Sequence, residues 1–159
     1  GVQKDYDFNG NLEKETNWKD GVQVGKEVKY YENGQILNEV NIKDGKPVGK
    51  YTSYYENGQV KSTSNYKNGK KIIDSAYDRD GNRTVTNGTG EWLDYDEDGE
   101  LYSWFSYKDG KLHGKQIVYE NGKISKTSYR LNGKSVTKDE FEKSENKSKG
   151  TDKTIKVDY

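Results

Sequence analysis

The sequence predicts an all-β protein. Its expected form is an elongated, single-layer antiparallel sheet of successive β-hairpin repeats, ending in a short C-terminal helix and a final strand. Three observations carry this. An Asn or Asp stands directly before a Gly twelve times in 159 residues. Between those pairs, polar and apolar residues alternate with a period of 2, as half-buried strands require. The hydrophobic fraction is only 28%, yet there are 14 Tyr and 3 Trp. That balance suits a thin, broad sheet whose large rings bury area while their polar tips reach water.

Asn-Gly and Asp-Gly accept the positive φ angles of tight hairpin turns at little steric cost. The pairs form two interleaved series. One is Asn9-Gly10, Asn33-Gly34, Asn57-Gly58, Asp80-Gly81, Asp98-Gly99 and Asn121-Gly122. The other is Asp20-Gly21, Asp44-Gly45, Asn68-Gly69, Asn87-Gly88, Asp109-Gly110 and Asn132-Gly133. Aligned on these turns, the chain divides into about six units of ~24 residues, the signature of a repeat architecture.

Unit one opens with Tyr6-Asp7-Phe8-Asn9-Gly10 and carries Leu12 and Trp18 on its apolar positions. Unit two is the clearest copy, with Tyr30-Tyr31-Glu32-Asn33-Gly34-Gln35-Ile36 at its turn. Alternation counted through that turn places Val28, Tyr30, Ile36, Val40 and Ile42 on one face. Unit three repeats the turn as Tyr54-Tyr55-Glu56-Asn57-Gly58-Gln59-Val60, with Val60 and Tyr66 in the matching places. Tyr31, Tyr51 and Tyr55 fall on the other face and read as a cross-strand ladder.

Unit four, the irregular segment 74–90, is short, and Val85 is its one large apolar residue between Asn82 and Thr89. It reads as a truncated hairpin that kinks the sheet and divides units one to three from five and six. Ile73 also stands where other units place a glycine. Unit five puts Leu93, Tyr95, Leu101, Phe105 and Tyr107 on one face by the same count, and Trp92, Tyr102 and Trp104 on the other. Unit six, Tyr119-Glu120-Asn121-Gly122-Lys123-Ile124, is one residue shorter before its turn.

The repeat domain spans 1–137, and a tail of different character covers 138–159. Thr137-Lys138-Asp139-Glu140 has the form of a capping box. It predicts one or two helical turns through about Ser144, placing Phe141 on the sheet end. Ser144 to Lys153 reads as a charged linker. Thr154 to Tyr159 alternates again and suits a strand that covers an open sheet edge.

Composition narrows the function. With 27 basic and 27 acidic residues the formal charge is zero, so no basic footprint points to nucleic acid. There is no Cys and one His, which leaves little from which to build a metal site or a nucleophile–His pair. No cofactor is expected and no catalytic residues are assigned: the reading is not an enzyme. No apolar run approaches the length of a membrane span. The chain begins at Gly1, not Met, which fits a trimmed chain that has lost a signal or lipoprotein leader. Cytoplasm and a bacterial cell envelope both stay open as locations.

The turn Tyr54-Tyr55-Glu56-Asn57-Gly58-Gln59-Val60 and the segment Asp109-Gly110-Lys111-Leu112-His113-Gly114 resemble the bacterial MORN-repeat variant. The resemblance covers roughly residues 6–134. Many such chains are assigned to a toxin–antitoxin group, the YwqK-type antitoxin family. The resemblance implies a sheet of hairpins that acts through protein contacts, with a toxin as partner. MORN repeats in general have also been connected with membranes and lipids.

Two candidate sites stand out in unit five. Asp94-Tyr95-Asp96-Glu97-Asp98-Gly99 copies the first half of a calcium loop, making Asp94, Asp96 and Asp98 a weak calcium candidate. Phe105 stands where an EF-hand needs Glu, so an acidic hairpin tip is the plainer reading. Trp92, Tyr102 and Trp104, rimmed by Asp94 and Asp96, form the candidate partner-binding cluster. Such a cluster suits a basic protein segment. Burial of both faces by the tail or a dimer partner is the competing reading. The function expected is therefore a protein-binding repeat scaffold of antitoxin or immunity type. The alternative is a cell-envelope protein, structural or binding glycan or lipid, that reaches a membrane through its leader. Dimerisation by edge pairing is open to such a sheet.

Overall fold

The computed structural model describes residues 1–96 and 98–151, with side chains through residue 148. Among the described residues fourteen strands form one open antiparallel sheet. They are β1 (Val2–Tyr6), β2 (Leu12–Lys19), β3 (Val22–Gln23), β4 (Gly25–Tyr30), β5 (Ile36–Lys43), β6 (Lys46–Tyr54) and β7 (Val60–Lys67). There follow β8 (Lys70–Tyr77), β9 (Arg83–Thr86), β10 (Thr89–Tyr95), β11 (Leu101–Lys108), β12 (Lys111–Glu120), β13 (Lys123–Leu131) and β14 (Lys134–Val136). Sequence neighbours pair, except that β2 pairs with both β3 and β4. Helix α1 spans Lys138–Thr151.

The two turn series have different backbones. In the second series both residues have positive φ, as at Asp44 (51°) and Gly45 (72°), the requirement of a type I′ hairpin. In the first five turns of the other series only the Gly does, as at Gly34 (80°). There Tyr31 N–H donates to Gln35 O and Gly34 N–H to Tyr31 O, so the loop is longer. Unit six, short by one residue, adopts the tighter form, with Asn121 at 51° and Gly122 at 69°.

Each longer loop is followed by a one-residue register shift, and this corrects the face assignments made by counting. Tyr30 pairs with Ile36, but one step further Lys29 pairs with Asn38. Leu37 is the extra residue. A slip of one residue moves everything beyond it to the opposite face. Val40 therefore lies opposite Glu27, while Val28 lies opposite Glu39. Val28 and Tyr30 do not share a face with Val40 and Ile42.

Unit four does not divide the sheet. The four-residue β9 pairs with β8 on one side and β10 on the other. Ile73, in the place of a glycine, is accommodated by a smaller irregularity: Asp74 alone is extra, whereas Gly49 and Lys50 are both extra in unit three. The core nevertheless concentrates here. Ile73, Ala76 and Val85 are buried, and Trp92 and Tyr107 pack against them.

The tail helix begins as expected. Glu140 N–H donates to Thr137 Oγ1 at 3.2 Å, and Thr137 N–H donates to the Glu140 carboxylate at 2.8 Å. Phe141 lies 5.5 Å from the Tyr129 ring. The helix runs on to Thr151, past Ser144, so the expected linker is largely helical. Nothing between Ser144 and Thr151 breaks a helix outright except Gly150, which helices tolerate near an end. The expected strand 154–159 lies outside the described residues.

Candidate partner-binding face

Three positions 24 residues apart tie units two to five in succession. Tyr31 Oη donates to Tyr54 O at 2.8 Å, and Tyr55 Oη donates to Tyr77 O at 2.8 Å. Arg79 takes the third place, and its guanidinium donates to Asp96 O at 3.0 Å. The Tyr31 and Tyr55 rings thus serve the cross-strand role expected of them, and both are half-buried. Desolvation, reinforced by the nearby Asp94 carboxylate, pushes the Tyr55 hydroxyl up to about 12.

Lys61 and Asp94 show that the sheet curves over this side. They sit on β7 and β10, three strand spacings apart, or ~14 Å in a flat sheet. Their charged atoms are nevertheless 2.8 Å apart. The Lys61 ammonium also lies 5.4 Å from the Tyr55 ring centre and 5.9 Å from that of Trp92, within cation–π range. The short β9 with small Ala76 and Gly90 beside it allows the approach. A Cβ on Gly90 would lie 2.2 Å from Thr84 O, so only glycine fits.

Two hollows flank this bridge on the inner face. One, of about 630 Å³, is lined by Tyr31, Tyr55, Lys61, Arg79, Asp94 and Tyr95 among others. The other, of about 680 Å³, is lined by Ser64, Ile72, Ile73, Trp92, Tyr107, Leu112 and several lysines. Burial pushes the Tyr107 hydroxyl up to about 12.

The sequence-predicted residues are not all brought together. Tyr95 pairs with Leu101, a register that would carry Trp92 opposite Trp104. Tyr102 is then the extra residue of a bulge, and beyond it Asp94 pairs with Ser103, Leu93 with Trp104 and Trp92 with Phe105. Trp92 and Asp94 therefore share the inner face with Phe105 and Tyr107. Trp104 lies on the outer face, between Leu93 and the buried Ile117. Tyr102 is 55% exposed.

The carboxylates of the acidic turn do not converge either. Asp94 pairs with Lys61, and Asp96 Oδ1 accepts Glu100 N–H at 2.8 Å within its own loop. Asp98 is exposed at the tip. Among the described residues no group of three His, Cys, Asp or Glu side chains is placed to hold a metal ion.

Counting missed one repeated feature of the outer face. Lys4 and the Tyr30 hydroxyl both bond Glu15, at 2.8 and 2.9 Å. One unit on, Lys26 and the Tyr54 hydroxyl bond Glu39. Those donors hold both glutamates below their ordinary pKa, the lysine hydrogen bond contributing most in each. The next copy would fall at Thr63, which bonds Asp74 instead. The 24-residue spacing of Glu15 to Glu39 and Tyr30 to Tyr54 is visible in the sequence. Their pairing needs the register.

Fold and face together define a class: an open repeat sheet with a curved, aromatic inner side. Residues 1–20, 23–44 and 47–68 match the MORN repeat variant. Each matched stretch contains one long-loop hairpin and ends at a type I′ turn. No curated protein matches the chain.

Proposed function

We propose that this chain is a non-enzymatic, protein-binding scaffold of the antitoxin or immunity type, holding a toxin against its sheet and covering the toxin's active site. The observation that supports this is the curved inner face around Trp92. Two of its rings, Tyr31 and Tyr55, are held by side chain-to-backbone bonds to the next unit, so that part of the surface is ordered before a partner arrives. Preorganisation of that kind lowers the cost of binding. Tyr102, the exposed extra residue of the bulge next to Ser103, the partner of Asp94, is the anchor this reading assigns to the partner. Trp104, half-covered on the outer face, is the weaker candidate.

Co-expression of the chain with each reading frame adjacent to its gene tests the proposal. The expected result is rescue from the growth arrest caused by one of those products, lost on Tyr102→Ala and kept on Trp104→Ala. Absence of any toxic neighbour that the chain binds and neutralises would overturn the antitoxin reading. Rescue that survives Tyr102→Ala would move the contact off this face.

A further inference from the structure

The lysine-ringed hollow beside Trp92 has a charge pattern of its own. In the second turn series a lysine follows the Gly in several units, and Lys70, Lys111 and Lys134 are three of these. In a regular sheet Lys70 and Lys111 would stand two units apart, and Lys111 and Lys134 one. Here the shortened unit four lets the Asp109-Gly110 turn fold onto β8, where Ile73 N–H donates to Gly110 O at 3.1 Å and Gly110 N–H donates to Gly88 O at 3.0 Å. Lys70, Lys71, Lys111 and Lys134 consequently line one hollow.

Among the described residues no carboxylate lines it. Asp74 and Asp109 line the neighbouring hollow instead. Lys71 is exposed as a whole residue, but its ammonium rests 3.5 Å from the centre of the Tyr51 ring.

The floor is apolar: Trp92, Tyr107, Ile72, Ile73 and Leu112. Two polar atoms there are buried and have no hydrogen-bond partner among the described residues, Ser64 Oγ and Trp92 Nε1. Ser64 is 1% exposed. A buried donor without an acceptor costs about 1–3 kcal/mol, so such groups call for an explanation. Both are able to donate to an anion. The volume lies within the roughly 300–1,000 Å³ typical of small-molecule sites.

We propose that this hollow binds a small organic anion. A flat apolar body lies on Trp92 and Tyr107, and an acid group faces the lysines with Ser64 Oγ and Trp92 Nε1 as additional donors. The proposal is independent of the partner-binding reading, and reverses the charge that the acidic turn suggested for a ligand.

Calorimetric titration with 1-anilinonaphthalene-8-sulfonate tests it, alongside its uncharged counterpart N-phenyl-1-naphthylamine and inorganic phosphate. One sulfonate per chain is expected, with both controls at least about tenfold weaker, since the site needs charge and body together. The Lys71→Gln/Lys111→Gln double variant should bind the sulfonate about tenfold more weakly, from the loss of two charge-assisted contacts. Ser64→Ala should also weaken binding without lowering the unfolding temperature, because its hydroxyl has no partner to lose. Equal affinity of the neutral dye, phosphate binding as tight as the sulfonate, or unchanged affinity in both variants would each overturn the proposal.

Discussion

Units one to three and the seam at units four and five are built from the same turns but held together differently. In the first three, strands touch mainly their sequence neighbours, and the outer face is laced by the Lys4–Glu15–Tyr30 and Lys26–Glu39–Tyr54 clusters. These pairs sit near solvent, where ion pairs contribute little each. At the seam the backbone of β8 bonds the Asp109-Gly110 turn, β7 reaches β10 through Lys61 and Asp94, and the buried cluster forms. The difference shows how a repeat sheet with few apolar residues obtains a core. Deleting residues from one hairpin brings non-neighbours into contact.

Glycine substitution should break this contrast most sharply. A Cβ on Gly88 would sit 2.3 Å from Gly110 N and 3.0 Å from Ile73 O, in a residue with φ of 75°. Gly21 has a similar φ of 77° but nothing within 4 Å of its Cβ. Gly88→Ala should destabilise by about 3 kcal/mol or more, combining steric overlap with backbone strain. Gly21→Ala should cost only about 1 kcal/mol, from strain alone. Urea unfolding midpoints check both.

Truncating the core comes next. Val85 is 0% exposed, whereas Val60 is 36% exposed. Val85→Ala should lose about 2 kcal/mol and Val60→Ala about 0.5 kcal/mol or less, measured the same way.

The pH limits of stability should separate the two regions. Tyr55 and Tyr107 are raised from 10.0 to about 12 by desolvation. Folding therefore favours their protonated form. That contribution is complete below pH 10 and is lost as pH rises toward 12. The Glu15 and Glu39 clusters act in the opposite sense. Their pKa values are lowered from 4.5, so their contribution is present above that value and is lost as pH falls through the folded pKa. Tyr107→Phe should blunt the alkaline loss and leave the acid limb unchanged, as followed by circular dichroism against pH.

Single charge deletions should have the smallest effects. Glu39→Gln should cost about 0.5 kcal/mol at this partly exposed site. Lys61→Gln should cost about 1 kcal/mol, because its partner lies across the curve of the sheet and two rings also face the ammonium. Equal effects would mean that the bridge over the seam is no stronger than an ordinary surface pair.

Much of this fold is readable from residue order because its signals are local. Asn33-Gly34 and Asp44-Gly45 announce turns through the conformations glycine and asparagine tolerate. Thr137 with Glu140 announces a helix start through hydrogen bonds only three residues apart. The candidate site was less legible. Trp92, Tyr102 and Trp104 alternate correctly along their strands, yet the bulge at Tyr102 puts Trp92 and Trp104 on opposite faces. Nothing in the alternation itself reports an extra residue. The acidic segment around Asp94 likewise gave no sign of Lys61, which stands 33 residues earlier in the chain.

Residue order by itself determined the number and spacing of hairpins, their antiparallel pairing and the start of the tail helix, since each rests on the φ preferences and hydrogen bonds of a few adjacent residues. Only the tertiary structure decided which residues share a face, that unit four gathers the core instead of interrupting the sheet, and that lysines from separate turns ring one hollow. Those outcomes depend on register and curvature. Both are set by long-range packing at Ile73, Gly88 and Gly110, whose proximity no local pattern encodes.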